Sequence, residues 1–321
     1  MQPSALATIN RIVEIIDAEK RAITNRELLA VCAEHDESYL SDPHFCHEIA
    51  EAALNFLVAT KYAKDLLASN KPAAACAEIL RPLQKRLPTQ TWRSAAQITY
   101  QQFSTPVTIA YLAAYLLNLD SNDTVLEPSC GTGSLAVWAI ASGAKVITNE
   151  IDPRRRELAG LLGLNPTGYN AEFIDDLLSE NFIPNVVLAN PPFSSSGGRT
   201  TRNQSKFGFR HVESALRRLA SRGRFAIILG GSGSPQNPQG KVFWESLQPD
   251  IRVTASIDLP GHEYYRNGTT VGVTLILGEK SSGTTDRINL DEKPVAIASS
   301  SVEDAFDQAL TLGLRFSSHS Q

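Results

Sequence analysis

The chain is poor in cysteine: four residues in 321, Cys32, Cys46, Cys76 and Cys130, with no CxxC pair among them. That excludes a disulfide scaffold and points to a reducing compartment. Cys32, His35, His44, Cys46 and His47 lie close together in sequence but match no zinc spacing, so no metal is expected. No apolar run reaches the ~20 residues of a membrane span. The most apolar stretch, 107–119, carries Thr108, Tyr111 and Tyr115. The opening MQPSALATINRIVEIIDAEKR has neither the charged n-region nor the unbroken apolar h-region of a signal peptide, so a cytoplasmic protein with no membrane partner is expected. No repeat of fixed period is present. There is no P-loop either: Gly240-Lys241 would need Gly at 235 and Ser or Thr at 242, where Pro235 and Val242 stand, so ATP is not the expected ligand. Nor is there an excess of positive charge, since 30 Lys and Arg against 34 Asp and Glu give −4. At face value that argues against a nucleic-acid binder.

What is present is ordinary globular composition, 42% apolar and 20% charged, on a chain long enough for one large domain or two smaller ones. Residues 1–90 read as a helical region, with Leu6, Ile9, Ile12, Val13 and Ile16 at helical spacing and Pro72 and Pro88 as punctuation. From about residue 120 the texture changes to short β-branched apolar runs alternating with helical segments. This predicts an α/β fold with a doubly wound, mostly parallel sheet. The predicted strands are 124–126, 145–149, 186–189, 225–229, 253–257 and 271–277. Residues 281–321 read as linker and tail, holding a possible strand at 294–298 and a short helix at 302–312.

The first strand runs into Glu127-Pro128-Ser129-Cys130-Gly131-Thr132-Gly133 and then a helix. Glycines at such a turn let backbone approach a ligand closely, at the strand ends where open α/β sheets bind ligands. The spacing is not GxGxxG. The second strand ends in Asn149-Glu150-Ile151-Asp152, about twenty positions on, where an acidic residue holds a nucleoside ribose through its hydroxyls. The strand after that ends in Asn190-Pro191-Pro192-Phe193. Prolines fix the backbone and withhold N–H groups, leaving the Pro191 carbonyl as an acceptor. The Asn190 side-chain oxygen is a second acceptor and Phe193 a flat apolar face. Two acceptors beside a stacking face suit an exocyclic amino group on a planar base.

In this order, FSTP (103–106), EPSCGTG (127–133), NEID (149–152) and NPPF (190–193) resemble the S-adenosylmethionine-dependent N6-adenine DNA methyltransferases of gamma motif order. The resemblance covers about residues 95–279. It is closest to bacterial strawberry notch-type methylases, through QQFSTP, VLEPSCGTGSLAV, NEIDPRR, NPPFSSSGGR and RHVESALRRL, and extends to type I modification subunits. It implies a Rossmann-like methyltransferase domain over 91–280. It places Thr105 at the methionine moiety of S-adenosylmethionine, Glu127, Ser129, Gly131 and Gly133 around its amino-acid portion, and Glu150 at its ribose. Asn170 stands where relatives carry an acid for the cofactor adenine, with Asp175 and Asp176 as alternatives. Asn190, Pro191, Pro192 and Phe193 are then catalytic, transferring the methyl group directly to N6 of a flipped or single-stranded adenine. No cysteine nucleophile is needed, and no Pro-Cys pair is present.

The DNA strand has a candidate seat. Residues 194–224 hold eight basic residues against one acid, net +7, leaving −11 on the rest. Arg199, Arg202, Lys206 and Arg210 in its first part are the expected phosphate contacts, while Arg217, Arg218 and Arg222 fit a solvated helix face. His262, Tyr264 and Tyr265 follow IDLP in a loop that borders the site or packs at its rim. The alternatives to a DNA methyltransferase are an RNA or protein-glutamine N-methyltransferase and a non-catalytic cofactor-binding partner subunit. The short stretch after residue 277 predicts weak sequence specificity, or specificity from the helical region or a separate specificity subunit. A helicase, if one takes part, is expected to be another polypeptide.

Overall fold

The computed structural model describes residues 3–90, 103–192, 206–282 and 293–317. Seven strands form one sheet: β1 (Thr124–Glu127), β2 (Lys145–Thr148), β3 (Val186–Ala189), β4 (Arg224–Gly230), β5 (Ile251–Leu259), β6 (Val273–Lys280) and β7 (Val295–Ala298), in the order β2-β1-β3-β4-β6-β5-β7. Strands β2, β1, β3 and β4 pair in parallel, β6 runs antiparallel between β4 and β5, and β7 is parallel to β5 at the edge. The expected doubly wound, mostly parallel sheet is therefore the observed one. All four residues of β3 are buried, as a strand covered on both faces requires. From β1 the chain goes to β2 on one side and then crosses to β3 on the other. That reversal opens a crevice at the carboxyl ends of β1 and β3, where such sheets bind ligands.

The helix Val107–Leu117 is buried along its whole length. It is apolar all round because it is surrounded by protein. Tyr111 stacks on Trp138 at 5.0 Å between ring centroids and lies 4.9 Å from Phe306, and its hydroxyl donates to Leu66 O at 2.7 Å. Among the described residues no helix is long and apolar enough to cross a membrane. Asp123 and Arg224 pair in the interior through two contacts, at 3.0 and 2.7 Å, joining the starts of β1 and β4.

Two boundaries change. The second half of 281–321 is part of the core rather than a tail: β7 extends the sheet, and the helix Val302–Thr311 buries Val302, Ala305, Phe306 and Ala309. The helical region is also not a layer apart. Ile9, Ile12, Ile49 and Val58 belong to the same apolar cluster as Tyr111, Trp138 and Leu275.

Candidate active site

The turn after β1 depends on two glycines in the left-handed region, Gly131 at φ +55° and Gly133 at φ +94°. A Cβ on Gly131 would sit 2.5 Å from the Arg155 guanidinium. Asn149, at the end of β2, fixes the turn from behind: its Nδ2 donates to Pro128 O at 2.9 Å and Tyr169 O at 3.0 Å, and its backbone carbonyl accepts from Cys130 N at 2.9 Å. Asn55 fixes it from the helical region, with Nδ2 donating to Thr132 O at 3.1 Å and reaching Thr132 Oγ1 and Ser134 Oγ at 3.2 Å. Ser129 is half-buried at the mouth of the turn.

Three ionisable groups meet beside the turn. Glu127 is buried; burial pushes its carboxyl up strongly, the Ala136 backbone N–H and Arg155 oppose that, and Glu150 adds to it. Among the described residues its Oε2 has no hydrogen-bond partner. Glu150 is held by two backbone N–H groups, Gly131 on Oε2 and Asp152 on Oε1, both at 2.8 Å. Arg155, buried at 5% exposure, donates to Ser104 Oγ at 2.9 Å and lies 3.5 Å from Glu48 Oε1. Burial raises the Glu48 carboxyl to about 7, with Arg155 pulling the other way. Neither Arg155 nor Glu48 is singled out by the sequence reading.

Across the crevice, Asn190 follows β3. Its Nδ2 donates to Thr105 Oγ1 at 2.9 Å and to Phe103 O at 3.3 Å, while among the described residues its buried Oδ1 has no partner. FSTP and NPPF are thus joined by a direct contact. Pro191 is buried. The carbonyl of Pro192 faces the helix Lys206–Arg218 so closely that a Cβ on Gly208 would lie 2.8 Å from it. Tyr264 is wholly buried on the 3-10 turn Gly261–Asn267; burial raises its pKa, and Thr105 and Asn190 pull the other way. Of the loop residues the sequence offers, Tyr264 is buried, whereas Tyr265 is 59% exposed. A cleft adjoins Thr105, with Glu51, Asn55, Ser134, Arg266 and Asn267 also on its walls, so the helical region lines it on one side.

The remaining candidates are more scattered. Asn170 is exposed and its Oδ1 caps the turn Ala171–Phe173 by accepting from Glu172 N at 3.1 Å. Asp175 accepts from Ser214 Oγ and pairs with Arg217 at 3.2 Å, while Asp176 is exposed. Phe193, Arg199 and Arg202 lie outside the described residues, and of Lys206 the structure gives only its place at the start of a helix. Arg210 is mostly exposed, 3.6 Å from Glu172. Arg224 does not belong with the basic group: it is buried on Asp123. Arg217 also pairs with Glu213 at 2.6 Å, and Arg218 donates to the carbonyls of Ser179 and Phe182. Those three charges serve the fold. Among the described residues no cluster of metal ligands forms.

The fold is that of the class I S-adenosylmethionine-dependent methyltransferases. A Listeria monocytogenes structure assigned to that class superposes with a TM-score of 0.55, over 96% of this chain and 97% of that one, at 14% identity. In sequence the chain is similar to the type II restriction enzyme and methyltransferase RM.BcgI of Heyndrickxia coagulans, 24% identical over 147 residues. That match covers 39% of this chain and 23% of RM.BcgI, so the chain spans less than a quarter of the curated relative it matches. The methyltransferase subunit of a Streptococcus thermophilus type I restriction-modification system superposes at a TM-score of 0.49, over 97% of this chain and 74% of that one, at 17% identity. No model of a known protein family matches.

Proposed function

We propose that the chain is an S-adenosylmethionine-dependent DNA methyltransferase acting on N6 of adenine, presented single-stranded or flipped from the duplex. One observation carries this reading: the buried Oδ1 of Asn190 at the carboxyl end of β3, without a partner among the described residues, opposite the glycine turn of β1. A buried amide oxygen costs free energy unless a donor reaches it, and an exocyclic amine is such a donor. The cofactor fits the other side of the crevice, where Glu127 Oε2, without a partner among the described residues, suits a cationic amino-acid end and Gly131 and Gly133 let the backbone of the turn approach it closely. Ser129 and Thr105 complete that end, Glu150 takes the ribose hydroxyls, and Asn170, Asp175 or Asp176 the adenine.

When bound, S-adenosylmethionine supplies a methyl group on a cationic sulfur, open to direct attack by an amine. The residues of the chain do the rest. Asn190 Oδ1 and the Pro191 carbonyl accept the two N–H bonds of N6, orient its lone pair and stabilise the positive charge that develops there; one N6 proton then leaves to solvent. Losing a preorganised group of this kind costs about 10²–10³ in rate. Phe193 stacks on the base and returns ~1–3 kcal/mol against the few kcal/mol of unstacking. Arg199, Arg202, Lys206 and Arg210 contact phosphates of the strand. The DNA substrate is supported by the order of the four motifs and by the restriction-modification relatives. The strawberry notch-type likeness rests on the motifs alone. A separate specificity subunit or helicase is the proposed partner, and copurification from the native host tests it.

The test is transfer of tritiated methyl to single- and double-stranded DNA, RNA and total protein, followed by hydrolysis and chromatography. Label in N6-methyladenine of DNA, reduced at least about 100-fold in Asn190→Ala, is expected. Label confined to RNA, protein or cytosine, or undiminished transfer by Asn190→Ala, refutes the proposal.

A further inference from the structure

The two groups that hold the Asn190 amide lie on either side of Ser104. Asn190 Nδ2 donates to Thr105 Oγ1 at 2.9 Å and to the Phe103 carbonyl at 3.3 Å. Ser104 itself is turned to other partners: its hydroxyl donates to Glu51 Oε2 and accepts from Arg155 Nη2 at 2.9 Å. A guanidinium only donates, so the single proton of this hydroxyl is directed to the carboxylate and the residue is held from two directions.

Arg155 ties that contact to the glycine turn. The same Nη2 lies 2.5 Å from the place of a Cβ on Gly131, so the guanidinium rests on the backbone of the turn. The side chain is buried and faces Glu48 Oε1 at 3.5 Å, while on its other side Gly131 N donates to Glu150 Oε2 at 2.8 Å. Glu48 and Glu51 both belong to the helix Pro43–Leu57, so the helical region backs the joint. One amino group therefore touches both the turn proposed for the cofactor and the segment that holds the proposed catalytic amide.

We propose that Ser104 is a positioning residue: anchored between Arg155 and Glu51, it fixes the flanking Phe103 carbonyl and Thr105 hydroxyl, and through them sets Asn190 against the glycine turn. Direct transfer needs the amine and the methyl carbon close and in line, and a misplacement of about 1 Å costs about 100-fold in rate. Without the hydroxyl, the segment keeps its hold on Asn190 but loses its own attachment to Arg155. The catalytic consequence rests on the methyl-transfer reading above, whereas the hold on the Asn190 amide is measurable without it.

Ser104→Ala removes the hydroxyl and Ser104→Thr keeps it. With circular dichroism showing each variant folded, kcat for methyl transfer is expected to fall about 10-fold in Ser104→Ala, with KM for DNA and affinity for S-adenosylhomocysteine unchanged. Ser104→Thr is expected to return kcat to within about 3-fold of wild type. In ¹⁵N-labelled full-length protein the Asn190 side-chain amide signals are assigned by their loss in Asn190→Ala. Hydrogen exchange at those signals is expected to be at least about 3-fold faster in Ser104→Ala than in wild type or Ser104→Thr. Unchanged exchange in Ser104→Ala overturns the proposal, as does a folded Ser104→Thr as slow as Ser104→Ala, or a loss of S-adenosylhomocysteine affinity that accounts for the lower kcat. Wild-type transfer by Asn190→Ala would instead remove the proposed reaction, and the exchange result would still decide the role of Ser104.

Discussion

Arg81→Met removes the clamp on the Gly261–Asn267 turn while leaving a side chain of similar length. The guanidinium makes four contacts: Nη1 and Nη2 to the two oxygens of Glu263, the second at 2.6 Å, and Nε and Nη2 to Glu303 at 2.6 and 2.7 Å. The Glu263 side chain is fully buried, so after the substitution its charge keeps, among the described residues, the Val302 N–H and the exposed His262 ring at 3.8 Å. Breaking a buried ion pair by removing one partner costs about 3–5 kcal/mol, against less than ~1 kcal/mol for an exposed pair. Arg81 is 21% and Glu303 23% exposed, so Glu303 turns to water and the lower end, about 3 kcal/mol, applies. Urea unfolding at pH 7.5, followed by tryptophan fluorescence, measures it. Arg81→Met/Glu263→Gln removes the stranded charge and is expected to recover at least half of the loss. A cost below about 1 kcal/mol for Arg81→Met, or a double variant no more stable than the single one, would refute a structural role for the clamp.

Three other outcomes follow from the same contacts. Burial lowers His47 and His211 to about 4, with His44 adding to the effect at His47; since the unfolded chain binds those protons more readily, stability falls as pH drops from 6.5 toward 4, by about 2 kcal/mol per histidine between pH 7.5 and 5. Glu48, raised to about 7, has the opposite sign and gains about 2 kcal/mol over that range; urea midpoints at the two pH values should therefore show His211→Gln more acid-resistant and Glu48→Gln less so, and unchanged pH dependence in both would contradict the burial argument. Gly131→Ala forces a side chain into the left-handed region against Arg155, costing about 1–2 kcal/mol and weakening S-adenosylhomocysteine binding in calorimetry; wild-type affinity would show that the turn is not part of the cofactor site. Asn55→Ala strips the donor from Thr132 O and Oγ1 and should cost about 1–3 kcal/mol in stability, with weaker binding of the same probe; if stability and affinity are both unchanged, the helical region does not hold the turn.

Strands β1 to β6 are legible in the sequence because a strand buried on both faces reads as a short unbroken apolar run bounded by turn residues. The glycine turn and Asn190-Pro191-Pro192 are legible for a related reason: their chemistry is carried by backbone conformation, which neighbouring residue types dictate. Strand β7, expected at 294–298, is legible on a different ground: Val295, Ala296 and Ala298 are exposed, so no unbroken buried run marks it, and pairing with β5 joins it to the sheet. Arg224 and Arg210 are alike as letters, yet one is buried on Asp123 and the other lies mostly in solvent; the distinction is a partner 101 positions away.

The same remoteness explains why the helical region reads as a separate unit although the site depends on it. The boundary near residue 90 rests on composition, but energetic coupling follows contacts rather than texture. Asn55 reaches Thr132 across 77 positions, Arg81 reaches Glu263 across 182 and Glu303 across 222, and Glu48 meets Arg155 in the interior. Each joins a group on the helices of residues 1–90 to one in the part of the chain that carries the sheet. The apolar cluster that runs from Ile9 to Phe306 without a break gives these polar contacts a rigid support. A helical layer that merely covered the sheet would need apolar contacts alone. The polar groups it places at the glycine turn and at the Gly261–Asn267 turn are costly to bury and find their partners there, so the layer is a wall of the site as well as its cover.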